Sequence, residues 1–265
     1  MAVGNYRKTQ VLKSELITPN YKRVVLGGTD LQSFPSGYES GYVKLLFTKQ
    51  GDVLREEEAF EQLAKKNIML RTYTVRAFDK ATATLTIDFA LHTSEKGASP
   101  ASDWAKAANL GDEIIIGGPG ATKLANPDAP WFLFVGDMTA LPAISCNLEQ
   151  LPSTARGITI LEVTSEADIH QLNKPDNIEV IWRVNPTPGQ NSPLLTAIQS
   201  IEWPSMTPYV WCACEFEAMR SIRRFLKREK QLEKQDMYIS SYWKYGRTED
   251  QHKVDKRTDA ELEGQ

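Results

Sequence analysis

The rhythm of this 265-residue chain changes at Asn126-Pro127-Asp128-Ala129-Pro130, and that change limits its fold more than any single motif does. Before it come short segments rich in Val, Ile, Thr, Tyr and Phe, punctuated by Gly, Pro, Asp and Asn. They are Lys8–Leu16, Tyr21–Gly27, Tyr42–Thr48, Arg71–Asp79, Thr84–Leu91 and Glu113–Gly117. Six such strands with few helices predict an antiparallel β-barrel or sandwich. Only Arg55–Lys66, rich in Glu and Ala, reads as a short surface helix. After the boundary, apolar runs alternate with amphipathic stretches. Trp131–Val135, Gly157–Thr164, Asn177–Val184, Tyr209–Cys214 and Met237–Ser241 read as buried strands. Thr139–Leu151, Pro193–Ile201 and Glu215–Lys230 read as helices. That alternation predicts a parallel sheet with helical crossovers. The expected fold is therefore a two-domain α+β chain: residues 1–127 a barrel, 128–243 an α/β domain, and 244–265 a polar tail that buries little.

Composition excludes several classes. A net charge of −3 leaves no overall basic field to recruit nucleic acid or an anionic membrane. No stretch approaches the ~18–20 apolar residues of a membrane span, and Met1–Lys8 shows no apolar core of the kind expected of a secretory signal. Three cysteines, Cys146, Cys212 and Cys214, do not make a disulfide framework. A cytoplasmic protein is expected. The Cys212-Ala213-Cys214 pair lies on a predicted buried strand without companion ligands, so it reads as small hydrophobes and no metal site is expected.

The segment Arg71-Thr72-Tyr73-Thr74-Val75-Arg76 combines three groups that a flavin dinucleotide needs. Arg71 offers a forked cation for a pyrophosphate, Tyr73 a planar surface for a ring, and Thr74 a polar contact near the reactive edge. An amphipathic strand with an exposed Arg and a half-buried Tyr accounts equally well for this hexapeptide alone. Further on, Asp88-Phe89-Ala90-Leu91-His92 closes a strand. Gly97-Ala98-Ser99-Pro100-Ala101-Ser102-Asp103-Trp104 then leads into a helix with Ser102 as its expected N-cap, where exposed amides can face phosphate. An ordinary capped helix has the same pattern.

Taken together, these segments resemble the siderophore-interacting protein family of flavoprotein reductases, which includes the vibriobactin-utilisation proteins. The shared pattern is R-x-Y-T-x-R, D-F-x-x-H and a small-residue run ending in S-x-W, here Arg71–Arg76, Asp88–His92 and Gly97–Trp104. The resemblance extends to Gly41–Leu45, Gly111–Glu113 and Gly118–Gly120. It implies a ferredoxin-reductase-like fold, with FAD held by Arg71, Tyr73, Thr74, Asp88, Phe89, His92, Gly97, Ala98, Ala101, Ser102 and Trp104.

Gly136-Asp137-Met138-Thr139-Ala140-Leu141-Pro142-Ala143-Ile144 follows an apolar strand, where open α/β sheets bind ligands. It resembles the family's G-D-E-T-A-L-P-A-I with Met138 in place of Glu. Trp211–Glu215 resembles W-x-A-G-E with Cys214 in place of Gly. These segments make Gly136, Asp137, Thr139, Ala140, Glu162 and Glu215 candidate contacts for NADH or NADPH. Glu162, Glu166 and Asp168 favour NADH, because carboxylates accept a ribose hydroxyl and repel a 2′-phosphate. A solvated acidic loop is equally consistent. Ferredoxin is the other candidate donor.

The resemblance also implies a ferric siderophore as acceptor. Anionic chelates call for cations, and Lys44, Lys244 and Arg247 are the candidates, each equally readable as a solvated surface charge. Tyr242 or Trp243, in Tyr242–Arg247 (similar to the family's Y-W-R-x-G), is expected beside the flavin. Outer-sphere electron transfer needs no general acid, nucleophile or bound metal, so no catalytic side chain is assigned. The rival readings are a general ferredoxin or flavin reductase with another acceptor, and a colourless siderophore carrier.

Overall fold

The structure is a computed structural model that describes residues 6–54, 67–92 and 99–263. The expected helix at 55–66 and the candidate residues Gly97 and Ala98 lie outside the described residues. The chain divides into two compact units, residues 1–123 and 124–265.

Unit one holds a seven-stranded sheet. Its strands are β1 (Tyr6–Thr18), β2 (Tyr21–Gly27), β3 (Tyr42–Thr48), β4 (Ile68–Thr74), β5 (Ala77–Asp79), β6 (Thr84–Ala90) and β7 (Glu113–Gly120). They run in the order β4-β3-β7-β1-β2-β6-β5, and every pairing is antiparallel. The alternation of β3 explains why the sheet curls. Val43, Leu45 and Phe47 point into a core with Val24, Leu26, Leu85, Ile87 and Phe89, while Leu46 joins a smaller cluster on the outer face. Tyr73 of β4 meets Phe89 of β6 at 4.4 Å between ring centroids, which draws the two ends of the sheet together over that core. Helix α1 (Pro100–Ala107) packs Ala101 and Ala105 into the same core.

The single strand expected over Arg71–Asp79 is two strands. Val75 donates its N–H to the Gly41 carbonyl, and Arg76 donates to that of Thr86. At this point the chain leaves its β3 partner and takes up β6, so one apolar run serves two neighbours.

Unit two is a five-stranded parallel sheet of order β10-β9-β8-β11-β12. The strands are β8 (Phe132–Gly136), β9 (Gly157–Val163), β10 (Ile178–Val184), β11 (Tyr209–Glu215) and β12 (Met237–Trp243). Its helices are α2 (Leu141–Gln150), α3 (Leu194–Ser200), α4 (Phe216–Arg228) and α5 (Glu249–Glu263). Leu133, Val135, Val210 and Cys212 are buried against Leu194, Ile198, Met219, Ile222 and Leu226, the apolar faces of α3 and α4. Near-continuous apolar strands are what a sheet covered on both faces requires.

The C-terminal residues differ from the expectation of a tail that buries little. They form α5, which buries His252 and Asp259. The docking is polar. Asp255, Asp259 and Glu263, four residues apart on one helical face, pair with Lys244 and Arg247, with Arg220 and Arg223, and with Arg223 and Lys227. His252 Nε2 lies 2.8 Å from Ser241 Oγ. Its few apolar residues form no buried stripe, Val254 and Leu262 being exposed, so hydropathy does not reveal this element; charge complementarity with α4 takes the stripe's place.

Candidate functional site: a flavin-type cleft strand and a capped sheet edge

On β4, Arg71 and Tyr73 lie on the same sheet face as the core residues Leu45 and Val43, which they oppose in register. The Arg71 guanidinium donates to the Leu70 carbonyl at 2.9 Å and approaches Met69 Sδ at 3.5 Å. Among the described residues no carboxylate pairs with it. A half-buried guanidinium held only by a carbonyl and a thioether keeps donors for an anion. Beside it, Tyr73 is half-buried and Thr74 buried. A guanidinium with no carboxylate partner among the described residues and an aromatic face at alternate positions, with a hydroxyl at the next residue, fit the phosphate, ring and polar edge of a flavin dinucleotide.

The other candidates of this unit take supporting positions. Asp88 is buried, and Arg23 grips it at 2.7 and 2.8 Å, with Arg76 at 3.7 Å. The hydrogen bond to Asp88 raises the Arg23 pKa above its ordinary value. Phe89 is fully buried between Tyr73 and Trp104. Phe89 thus packs behind Tyr73, while Asp88 ties β6 to β2 through Arg23. Ala101 faces the core. Ser102 is not the N-cap: α1 begins at Pro100 with Ser99 before it. Instead Ser102 Oγ accepts from the His92 N–H at 3.1 Å and donates to the His92 carbonyl at 3.0 Å. Lys106 Nζ donates to the same carbonyl at 2.7 Å. The 92 end of β6 is thus pinned to α1, and the His92 side chain is exposed. Pro100 explains the shift, since proline is favoured in the first turn and marks the start.

In unit two the carboxyl ends of β8, β9 and β11 bring Asp137, Glu162 and Glu215 to one edge. Asp137 Oδ1 accepts from the N–H and hydroxyl of Thr139 at 2.9 and 2.5 Å, and Oδ2 from Trp243 Nε1 at 2.8 Å. Glu162 accepts from Asn185 at 2.9 Å and Ser192 at 2.5 Å. Glu215 caps α4 through the Glu217 and Ala218 amides at 2.6 and 3.1 Å. Burial raises the pKa of both Asp137 and Glu162. Each Glu162 oxygen thus already has a partner within unit two. Asp168 is buried as well, closing a capping box with Ser165, which leaves Glu166 as the exposed acid of that loop. Gly136 is required for packing: a Cβ there would come within 2.7 Å of Ile144, 2.8 Å of Ala140 and 3.0 Å of the Ala213 carbonyl. Ala140 is buried, donates its N–H to the Asp137 carbonyl and closes the turn.

The candidate acceptor cations are divided between the units, Lys44 in unit one and Lys244 and Arg247 in unit two. Lys44 lies on β3 opposite Thr72 and Gly117, on the sheet face away from Arg71 and Tyr73, with no ion pair among the described residues. Lys244 and Arg247 are ion-paired: Asp255 of α5 sits 3.2 and 3.4 Å from them, Lys244 also lies 4.2 Å over the Phe216 ring, and the Arg247 side chain stays 47% exposed. Tyr242 and Trp243, expected beside the flavin, are engaged within unit two. Tyr242 packs edge-on against Trp211, with burial pushing its phenol well above the ordinary pKa, and Trp243 is bound to Asp137. The β11–β12 register slips by one residue there, so Ser241 opposes Cys214 but Trp243 opposes Glu215. Such a bulge re-aims side chains, which strict alternation along a strand cannot anticipate.

An antiparallel flavin-type sheet followed by a parallel α/β unit with a topological switch point is the architecture of ferredoxin-reductase-like flavoproteins. Ferredoxin-NADP+ reductase from Plasmodium falciparum shares this fold, with a TM-score of 0.65 at 16% identity over 91% of this chain and 98% of that one. Two family profiles narrow the class. Residues 10–123 match the siderophore-interacting FAD-binding domain, and residues 129–246 match the siderophore-interacting protein domain. Ferric vibriobactin reductase of Vibrio cholerae is 31% identical over 254 residues, covering 92% of this chain and 91% of that protein. The NADPH-dependent ferric-chelate reductase of Escherichia coli is 26% identical, covering 90% and 92%. The siderophore-interacting protein SipS of Aeromonas hydrophila superposes with a TM-score of 0.83 at 27% identity, covering 98% and 100%. The chain belongs to the siderophore-interacting protein family.

Proposed function

We propose that this protein is an FAD-dependent reductase that passes electrons from NADH, NADPH or reduced ferredoxin to Fe(III) in a siderophore, releasing Fe(II) in the cytoplasm. The observation that carries this reading is the Arg71 guanidinium beside Tyr73 and Thr74, half-buried and without a described carboxylate partner. In a family of FAD-binding proteins, that is where a pyrophosphate supplies the missing charge. FAD held there would supply a store for two electrons, taken up as hydride from a dinucleotide or singly from ferredoxin and released singly, which suits two one-electron Fe(III) acceptors. The protein's own residues have simpler tasks. Arg71 anchors the phosphates, Tyr73 presents its ring face, and Thr74 offers a polar contact to the reactive edge. Asp88 with Arg23, and Ser102 with His92, keep that strand and the neighbouring turn in place. Reduction loosens hard oxygen ligation to iron, so the metal leaves without being coordinated by the protein. Lys44 is proposed as a cation that attracts anionic chelates from the open sheet face.

The relatives named for ferric reduction support an iron acceptor, and the E. coli relative named for NADPH supports a dinucleotide donor. The test is anaerobic. Protein purified with FAD is mixed in a stopped-flow cell with NADH, NADPH or reduced ferredoxin, followed by hydroxamate and catecholate ferric chelates with a chromogenic Fe(II) trap. Bleaching of the flavin bands by one donor, then recovery with two Fe(II) per flavin, is expected. A protein that binds no FAD ends this reading.

A further inference from the structure

An open sheet has two edges whose outward N–H and C=O groups pair with water or with another strand, and such edges are usually guarded by Lys, Pro or a bulge. The order β10-β9-β8-β11-β12 makes β12 and β10 the edges of unit two. Beside β12, Lys256 of α5 donates to the Ser241 carbonyl at 3.1 Å and to Ser240 Oγ at 2.6 Å, which sets a charged helix against that edge. Strand β10 carries no such guard. Its sequence Ile178-Glu179-Val180-Ile181-Trp182-Arg183-Val184 holds neither Lys nor Pro, and its register with β9 runs from end to end without a bulge.

The β9 ladder fixes which groups of β10 face outward. Gly157 donates its N–H to the Asn177 carbonyl, and Asn185 donates to that of Val163. In a parallel pair every second residue directs both backbone groups to the same neighbour. Glu179, Ile181 and Arg183 therefore face β9, and Ile178, Val180, Trp182 and Val184 face outward. In keeping with this, the Trp182 carbonyl accepts from a side chain, Arg183 Nη1, at 3.0 Å.

An antiparallel copy of β10 must pair outward residues with outward residues. Of the registers that do so, only the one centred on Ile181 pairs the whole strand. It sets Val180 against Trp182 of the second copy, Ile178 against Val184, and Glu179 against Arg183. Val184 is 41% exposed and Trp182 half-buried, so these pairings withdraw apolar surface from water. Glu179 and Arg183 would meet at non-hydrogen-bonded positions, where opposed Cα atoms approach to ~4.5 Å. Within one chain they stand ~13 Å apart along the strand and cannot meet. Among the described residues neither makes an ion pair.

We propose that β10 is a self-complementary docking edge for a second copy of this chain. Antiparallel β10–β10 pairing joins the two parallel sheets into one, five strands from each copy, and two symmetric Glu179–Arg183 pairs select the register. On pairing, the Trp182 carbonyl accepts from the Val180 N–H of the second copy, and Arg183 exchanges that carbonyl for a carboxylate. The two β10 strands run in opposite directions, so the carboxyl ends of the two sheets point apart. The edge that carries Asp137, Glu162 and Glu215 is left uncovered in both copies.

The test is analytical ultracentrifugation of the full chain, purified with FAD, from submicromolar to high micromolar concentration, with a melting temperature for each variant. Wild type is expected to pass from monomer to dimer as concentration rises. Arg183→Glu turns two attractive pairs into two repulsive ones and should weaken dimerisation roughly tenfold or more, as should Glu179→Arg. Combining the two restores opposite charges and should return the dissociation constant to within a few-fold of wild type. Val180→Pro removes an outward N–H and spares the β9 ladder, a place where an edge strand tolerates proline, and should leave monomer. Wild type that stays monomeric at every concentration overturns the proposal. So does a dimer that ignores the single charge reversals, or one that the double exchange fails to rescue. The sedimentation comparison reads the same whether or not flavin is bound, so it stands apart from the proposed activity.

Discussion

Replacing Asp88 separates support from contact in the flavin-type unit. In the structure Asp88 touches Arg23 through two hydrogen bonds and lies 3.7 Å from Arg76, and its side chain is 1% exposed. Asp88→Ala takes the carboxylate from Arg23 and one acidic neighbour from Arg76, whose side chains are 30% and 15% exposed. Removing one partner of a buried ion pair costs about 3–5 kcal/mol. Because Arg23 keeps access to water, the lower end applies, about 3 kcal/mol, or roughly a hundredfold in the unfolding equilibrium. That loss belongs to the polypeptide and must appear in flavin-free protein. The assay is urea denaturation of the apoprotein, followed by FAD titration under conditions where both proteins are folded. The structure predicts a shifted midpoint with an unchanged slope and an FAD Kd within a few-fold of wild type. An apoprotein of wild-type stability that binds FAD a hundredfold more weakly would refute the supporting role and return Asp88 to the cofactor. Arg23→Ala combined with Asp88→Ala should cost less than the sum of the single changes, since each removes the other's partner.

Arg71→Ala should act the other way, leaving apoprotein stability within about 0.5 kcal/mol while weakening FAD binding by roughly tenfold or more through loss of a forked charge-assisted contact; equal occupancy of both proteins at limiting FAD counts against it. Asp255→Asn frees Lys244 and Arg247 from their shared partner, so KM for an anionic ferric catecholate should fall while that for a neutral chelate holds; no difference between the two chelates argues against any acceptor role for these cations. Docking of α5 should weaken in acid in two stages. Burial lowers the His252 pKa, with Lys256 and Lys244 adding repulsion, Glu249 and Asp255 opposing it, and Ser241 and Phe216 as its other neighbours. The undocked histidine therefore takes up a proton first, and docking loses stability as pH falls below about 6.5. The hydrogen bond and charge of Arg223 lower the Asp259 pKa, so its contribution is complete above about pH 3.9 and disappears as pH falls through its depressed value. Hydrogen exchange over residues 249–263, corrected for intrinsic rates, reads both stages, and His252→Gln should abolish the upper one.

Much of this architecture follows from local pattern. Strands such as Val43-Lys44-Leu45-Leu46-Phe47 carry their own register, because side chains alternate by two and a one-residue slip would expose the core. The apolar runs at 132–136 and 209–215 signal a doubly covered parallel sheet without help from their neighbours. Arg71 and Tyr73 are likewise legible, since two residues apart on a strand means one face whatever the rest of the chain does.

Other features depend on partners distant in sequence. Asp88 and Arg23 stand 65 positions apart, and only the pairing of β2 with β6 makes the carboxylate a brace. Ser102 carries the composition of a helix cap, yet the approach of the His92 backbone gives it different bonds. Helix α5 lacks an apolar stripe, so its docking waits on a basic face supplied by α4 and the end of β12. Trp243 reaches Asp137 across 106 residues after a one-residue register slip turns it inward. Periodicity and backbone preference are properties of a short segment, and the amino-acid order by itself settles them. Which carboxylate is neutralised, and which aromatic covers which strand end, are properties of long-range proximity, and only the folded chain creates it.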